Sequence, residues 1–196
     1  MDIRHQITDL QLVHPFKIAR RAVDSFRQVI SIELDGGLGE TAPAKFYGET
    51  VETVQRALEI FDPFLDGSLD AIQAIMNELE SVMHGNYAAK SAIDMALHDR
   101  LGKVLGVPLY RLWGLDPNAT PCTSFTIGLD EPEIMQQKVR EASAYPILKV
   151  KLGTSHDLEI IRTLREVTDK PIYVDANTAW TPKEAVRKIR ELVPYG

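Results

Sequence analysis

Residues 147–180, ILKVKLGTSHDLEIIRTLREVTDKPIYVDANTAW, decide the fold. Two short apolar runs, Ile147 to Leu152 and Pro171 to Val174, each end in charge: Lys149-Val150-Lys151 closes the first and Asp175-Ala176-Asn177 follows the second. Between them, Leu158 to Val167 places Ile161 and Leu164 at helical spacing, so the stretch reads as strand, helix, strand. Working outward, Pro121 to Ile127 reads as a strand and Pro132 to Tyr145 as a helix with Met135, Val139 and Ala142 on one face. Pro182 to Val193 is a further helix, its apolar side formed by Val186 and Ile189. Two helix starts are signalled locally: Thr181-Pro182-Lys183-Glu184 is a capping box with proline at the first helical position, and Thr154 with Asp157 reads as a second box. Strict alternation with short connections implies parallel strands and helical crossovers, hence an open doubly wound sheet or a (β/α) barrel. No GxGxxG or GxxxxGK[ST] follows the first strand, which favours the barrel, where catalytic groups sit at the C-terminal strand ends.

The residues before this region follow another pattern. Ile30, Ile32 and Leu34 alternate with Ser31 and Glu33, and Asp35-Gly36-Gly37 supplies a tight turn. With Ile3 to Val13 before and Leu38 to Glu40 after, a small antiparallel meander is expected, and HPFKIARRAVDS (14–25) reads as a covering loop. Helical periodicity then takes over. Thr50 caps a helix carrying Val54, Leu58 and Phe61; Ser68 caps another with Ile72, Ile75, Leu79 and Val82. A third, from about Ala88 to Leu105, is rich in small residues that permit close packing. The expected organisation is an α+β domain over 1–115 followed by a (β/α) domain over 116–196.

Composition narrows the function. At 44% hydrophobic and 26% charged residues, the chain of 196 can bury a substantial core. Net charge is −6 without a basic run, which disfavours nucleic acid or an anionic membrane as main partner and leaves small molecules. One cysteine, Cys122, forms no internal disulfide, and no window has the length of a membrane span, so a cytoplasmic setting is expected. The five histidines are scattered and end no strand as a pair.

Chemistry gathers at the strand ends. Residues two apart on a strand point to the same side, which puts the Lys149 and Lys151 backbones about 6.6 Å apart on one face. At an effective dielectric of about 20 their repulsion is on the order of 2.5 kcal/mol. Such repulsion favours the neutral amine of one of the pair, the form a general base needs. Asp175, ending the next strand, is placed to hold a hard divalent cation through oxygen. Two solvated lysines and a turn-forming Asp-Ala-Asn would use the same residues, and what separates the readings is their combination in one βαβ unit.

That combination resembles the enolase superfamily, in its muconate-lactonizing branch, and most closely the dipeptide epimerases of the Ala-Glu type. The resemblance runs through HPFKIARR, AAKSAIDMALHDRLGKVLGVPLYRLWG, TSFTIG, LKVKLG, and DANTAW followed by TPKEA. It implies a capping domain over 1–115 and the first three β/α units of a TIM-type barrel over 116–196. It also implies epimerisation of a dipeptide α-carbon with Mg2+ as cofactor. By resemblance Lys151 is the general base and Lys149 contacts the substrate carboxylate. Asp175 is the first of three metal ligands, and Asn177 supports it. Arg21 reaches the far end of the substrate, and Thr126 lines the pocket. Ala179 stands where the family often has glycine. Three of eight units imply an N-terminal portion, inactive alone, with the remaining carboxylates and a second lysine supplied by a missing C-terminal half or a complementary chain. A cycloisomerase, an o-succinylbenzoate synthase, an N-acylamino-acid racemase and a noncatalytic assembly module remain alternatives, and homo-oligomerisation and the choice of dipeptide stay open.

Overall fold

The computed structural model describes residues 3–19, 21–65 and 71–196, excepting the side chains of 21–24. The chain divides into two compact units, Met1–Gln11 with Phe26–Ala119, and Leu12–Ser25 with Thr120–Gly196.

Strands β1 (Ile3–Ile18), β2 (Arg21–Leu34) and β3 (Gly37–Thr41) form a sheet in that spatial order, most of which belongs to the first unit and residues 12–25 to the second. β2 and β3 are antiparallel, with Leu34 opposite Gly37 and Ile30 opposite Thr41. Asp35 and Gly36 both have positive φ, the backbone that a two-residue hairpin turn needs. Three helices cover the sheet: α1 (Val51–Phe61), α2 (Ile72–Val82) and α3 (Tyr87–Leu105), with a short α4 (Leu109–Leu112) after them. Thr50 caps α1 in a reciprocal box with Thr53. Ser68 lies outside the described residues, and α2 begins after Ala71. Ile30, Ile32 and Leu34 are buried against Val54, Leu58, Phe61, Ile75, Leu79, Ile93 and Leu97.

Small residues set how closely α3 lies on β3. A Cβ at Gly39 would stand 2.0 Å from the Ala92 carbonyl oxygen, and one at Gly37 would stand 2.1 Å from that of Ala96. The turn is also tied to α3: Leu38 N–H donates to Asp99 (2.7 Å) and Lys103 Nζ to the Gly36 carbonyl (2.7 Å). Lys90 is buried, its ammonium paired with Glu80 and donating to the Met83 carbonyl at 2.7 Å, where it closes the C-terminal end of α2.

The strands around HPFKIARRAVDS extend further than expected. His14 to Ile18 belong to β1 and Arg21 to Ser25 to β2, so the segment is the tip of a hairpin and not an irregular loop. Along it Leu12, His14, Phe16 and Ile18 alternate with the more exposed Val13, Pro15 and Lys17. Pro15 falls on β1, an edge strand, the part of a sheet to which proline is largely confined.

The second unit holds a parallel sheet of β4 (Ser124–Ile127), β5 (Ile147–Lys151) and β6 (Ile172–Asp175), in sequential order. Helices α5 (Pro132–Glu141), α6 (Asp157–Arg165) and α7 (Pro182–Leu192) follow the strands. Ile127, Leu148 and Val150 bury one sheet face with Met135, Val139, Ala142, Ile161 and Leu164. Thr181 and Glu184 form the expected box on α7, with Pro182 at its first position. Thr154 does not cap α6. His156 stands at the cap, without a side-chain capping bond, and Asp157 turns back to the preceding loop. Val186 and Ile189, the apolar side of α7, are half exposed. At the N-terminal strand ends, Lys170 Nζ donates to the carbonyls of Ala142, Ser143 and Tyr145, and Arg165 to those of Lys170 and Tyr195. No helix among the described residues is long and apolar enough to cross a membrane.

Candidate active site

The parallel register brings the charged strand ends together. Thr126 stands beside Lys149 and Lys149 beside Tyr173, while Lys151 stands beside Asp175. Because in-register neighbours share a face, Thr126, Lys149, Lys151 and Asp175 all lie on the face opposite the apolar core.

Both lysines reach one oxygen. Lys151 Nζ lies 2.8 Å and Lys149 Nζ 2.9 Å from Asp175 Oδ2, and Asn177 N–H donates to Oδ1 at 2.9 Å. The expected repulsion between the lysines is therefore met by a shared carboxylate, which the sequence reading assigned to a cation alone. Lys151 is the enclosed member, its side chain 10% exposed against 38% for Lys149. The Lys151 ammonium holds the Asp175 carboxyl well below the usual carboxylate range; burial opposes this, and Lys149 and the Asn177 N–H reinforce it.

Asn177 and Thr178 take positive φ to turn the chain sharply after β6. Asn177 Oδ1 is buried without a donor among the described residues. A hard divalent cation takes oxygen ligands, often one or two carboxylates completed by water and substrate. Asp175 and this orphaned oxygen fit part of such a set, and no group of three His, Cys, Asp or Glu gathers among the described residues.

The hairpin tip lies over the end of β4. Leu129 N–H donates to the Lys17 carbonyl at 3.0 Å, and a Cβ at Gly128 would stand 3.3 Å from the Phe16 ring. His14 pairs with Glu141 at 2.5 Å. Arg21 begins β2, and its side chain lies outside the described residues.

Sequence reasoning missed a node beside the site. Asp157, 1% exposed, accepts Gly153 N–H (2.9 Å), Thr154 N–H (2.8 Å) and Thr154 Oγ1 (3.0 Å) on Oδ1. Its Oδ2 takes Trp180 Nε1 (2.9 Å) and Lys188 Nζ (2.7 Å). Burial alone would raise this carboxyl, but the Lys188 ammonium, the two backbone N–H groups and the indole together hold it below its ordinary value. The available signal was an aspartate among apolar positions with a lysine on the facing helix, 31 residues away.

Comparison with known proteins places both units. Residues 3–114 match the profile "Mandelate racemase / muconate lactonizing enzyme, N-terminal domain", and residues 134–196 match "Enolase C-terminal domain-like". An L-Ala-D/L-Glu epimerase of Bacteroides thetaiotaomicron is 41% identical over 186 residues, covering 90% of this chain and 47% of the relative. A dipeptide epimerase of Enterococcus faecalis, solved with Mg and L-Leu-L-Tyr, superposes with a TM-score of 0.89 at 31% identity, covering 99% of this chain and 58% of the other. A muconate lactonizing enzyme of Pseudomonas fluorescens, complexed with muconolactone, also gives 0.89, at 28% identity and 100% and 57% coverage. The chain spans about half the length of the curated relatives it matches. A capping domain followed by a barrel-like domain is thus the fold of the two units.

Proposed function

Because the chain belongs to the mandelate racemase/muconate lactonizing enzyme family, we propose that it forms the N-terminal part of a magnesium-dependent dipeptide epimerase. The observation that carries this reading is the convergence of Lys149 and Lys151 on Asp175 at neighbouring parallel strand ends. Identity favours an epimerase over a cycloisomerase, since superposition alone serves both equally.

In this reading Lys151, the enclosed amine, takes the α-proton from one face of the dipeptide. Lys149, nearer solvent, contacts the substrate carboxylate through its ammonium group. Asp175 would hold Mg2+, with Asn177 supporting it. Bound Mg2+ supplies Lewis-acid stabilisation of the negative charge that develops on the substrate as the proton leaves. Thr126 lines the pocket beside Lys149, and Arg21 meets the far end of the substrate, which tilts the choice of second residue toward an acidic one. We place the protein in the cytoplasm, where a lone exposed cysteine needs no partner.

We further assign the remaining β/α units of the barrel, two more metal carboxylates and a lysine for the opposite face to segments beyond these 196 residues, in the same polypeptide or a complementary chain. Tyr173 and Val174 on β6 are 57% and 40% exposed, and α7 buries none of its residues. A further strand and helix would cover both.

The test is α-proton exchange of a dipeptide in deuterated water with Mg2+ and the full-length protein. Lys151→Ala is expected to slow exchange from one stereoisomer by about 10²–10⁴-fold, the contribution of a positioned base. Unchanged exchange would remove Lys151 as that base.

A further inference from the structure

We propose that Asp157, with Lys188 and Trp180, is a positioning device that fixes the two loops following Lys151 and Asp175; the inference rests on the functional reading above.

The donors that converge on Asp157 come from outside its own helix turn. Gly153 and Thr154 belong to the loop that follows β5, two and three residues beyond Lys151. Trp180 ends the turn that follows β6, and Lys188 lies on α7. Lys188 Nζ also donates to the Thr154 carbonyl at 2.9 Å and stands 5.6 Å from the centre of the Trp180 ring. One buried carboxylate thus joins both loops to two helices.

Further contacts lock the same two loops against each other. Leu152 N–H donates to the Asp175 carbonyl at 3.0 Å. A Cβ at Gly153 would stand 2.6 Å from the Ala179 methyl and 2.9 Å from the Ala176 carbonyl oxygen, and φ there is +111°. The methyl that Ala179 adds is therefore packed against Gly153, and the Lys151 loop has no room to slide along the Asp175 loop.

A structural role alone explains this poorly. α7 starts with an exposed capping box, which satisfies its own first turn at little cost. α6 has no side-chain cap, and its first residue instead commits a buried charge to loop groups. A buried ion pair is a weak source of stability compared with apolar packing, and its best-attested gain is a unique geometry. Here the geometry it fixes is that of the Lys151 and Asp175 strand ends.

The experiment uses the full-length protein with Lys188→Met, which breaks the ion pair at similar volume, and Lys188→Arg, which keeps charge and donor. Trp180→Phe removes the indole N–H together with the pyrrole half of the ring, keeps the lysine–carboxylate pair, and serves where Lys188→Met fails to fold. Positioning predicts that Lys188→Met or Trp180→Phe lowers kcat for dipeptide epimerisation at least tenfold with KM within threefold, and that Lys188→Arg stays within threefold of wild type in both. It also predicts that amide hydrogen exchange accelerates at Leu152 and Asn177 together. Unchanged kcat in Lys188→Met with a shifted Trp180 indole N–H resonance, or in a folded Trp180→Phe protein, overturns the proposal, as does faster exchange confined to α7. If the wild-type protein shows no epimerisation, the functional reading fails, and the exchange pattern at Leu152 and Asn177 still decides the node.

Discussion

Gly39→Ala is the sharpest test of how the first unit is assembled. The φ of Gly39 is outside the left-handed region, so alanine is conformationally acceptable there, and by unfolded-state entropy alone it would stabilise by about 0.4–1 kcal/mol. Sterics decide otherwise. The new methyl would lie 2.0 Å from the Ala92 carbonyl oxygen and 2.9 Å from its carbon, where ordinary contact begins at 3.4 Å. α3 must therefore retreat by about 1.4 Å, and it carries Ala89, Ala92, Ile93, Ala96 and Leu97, all fully buried. Overpacking typically costs about 1–3 kcal/mol, and a clash with helix backbone sits at the upper end. The net loss is about 2 kcal/mol, or about 10 °C in the Tm of a unit of roughly 100 residues. Urea unfolding followed by far-UV circular dichroism measures it. Adding Ala92→Gly gives no rescue, because the clash is with the carbonyl and not the methyl. Gly36→Ala, with φ +83° and nothing within 4 Å, isolates the conformational cost of about 1–2 kcal/mol. A Gly39→Ala protein as stable as wild type, or one restored by Ala92→Gly, would refute the close approach of α3 to β3.

Three further outcomes follow from the second unit. Lys170→Met strips donors from three carbonyls and is expected to cost about 1–3 kcal/mol in urea unfolding of this unit, with the site geometry unchanged. The folded Asp157 carboxyl lies below its ordinary 3.8, so its stabilisation is complete above about pH 3.8 and is lost as pH falls through the folded value. Lys188→Met removes the strongest lowering influence and leaves burial to act, so acid unfolding, followed by Trp fluorescence, begins at higher pH than in wild type. Lys151→Met frees Asp175 Oδ2 of one ammonium and is expected to raise divalent-cation affinity several-fold by titration calorimetry; unchanged affinity would count against competition at that oxygen.

What could be read from the sequence was what is encoded within a few residues. The alternation of Ile30, Ile32 and Leu34, the Thr50 cap and the Thr181–Glu184 box are local, and each stands where the periodicity put it. Lys149, Lys151 and Asp175 came together because strand parity and a parallel register fix which side chains share a face. The hairpin tip was misread because Pro15 and Lys17 mask an alternation that only an edge strand can tolerate. Asp157 was misread for a different reason. A capping box and a loop-binding carboxylate share the spacing from Thr154, and only the tertiary approach of Trp180 and Lys188 separates them. Val186 and Ile189 carry a clear helical stripe, yet they stay half exposed because periodicity specifies a face and not its partner.

The two ends of the parallel sheet are held by opposite chemistry, and this explains why the site sits at one of them. At the N-terminal strand ends Lys170 and Arg165 collect carbonyls, the groups that helix C-termini leave unpaired. At the C-terminal ends Asp130, Asp157 and Asp175 collect N–H groups and lysines: Asp130 takes Lys138 and the Glu131 N–H. Of these three carboxylates, Asp157 has both oxygens filled by five donors and its side chain is almost inaccessible, and Asp130 is matched by one buried ammonium. Asp175 alone draws two ammoniums onto one oxygen, one of them on a side chain 38% exposed. Its cluster carries a surplus positive charge and a carboxylate whose partners can be exchanged. A saturated ion pair can only hold a loop in place; a surplus one can trade a lysine for a cation or receive an anionic substrate. In the proposed function, ligand exchange therefore belongs at Asp175, and Asp157 supplies the rigidity around it.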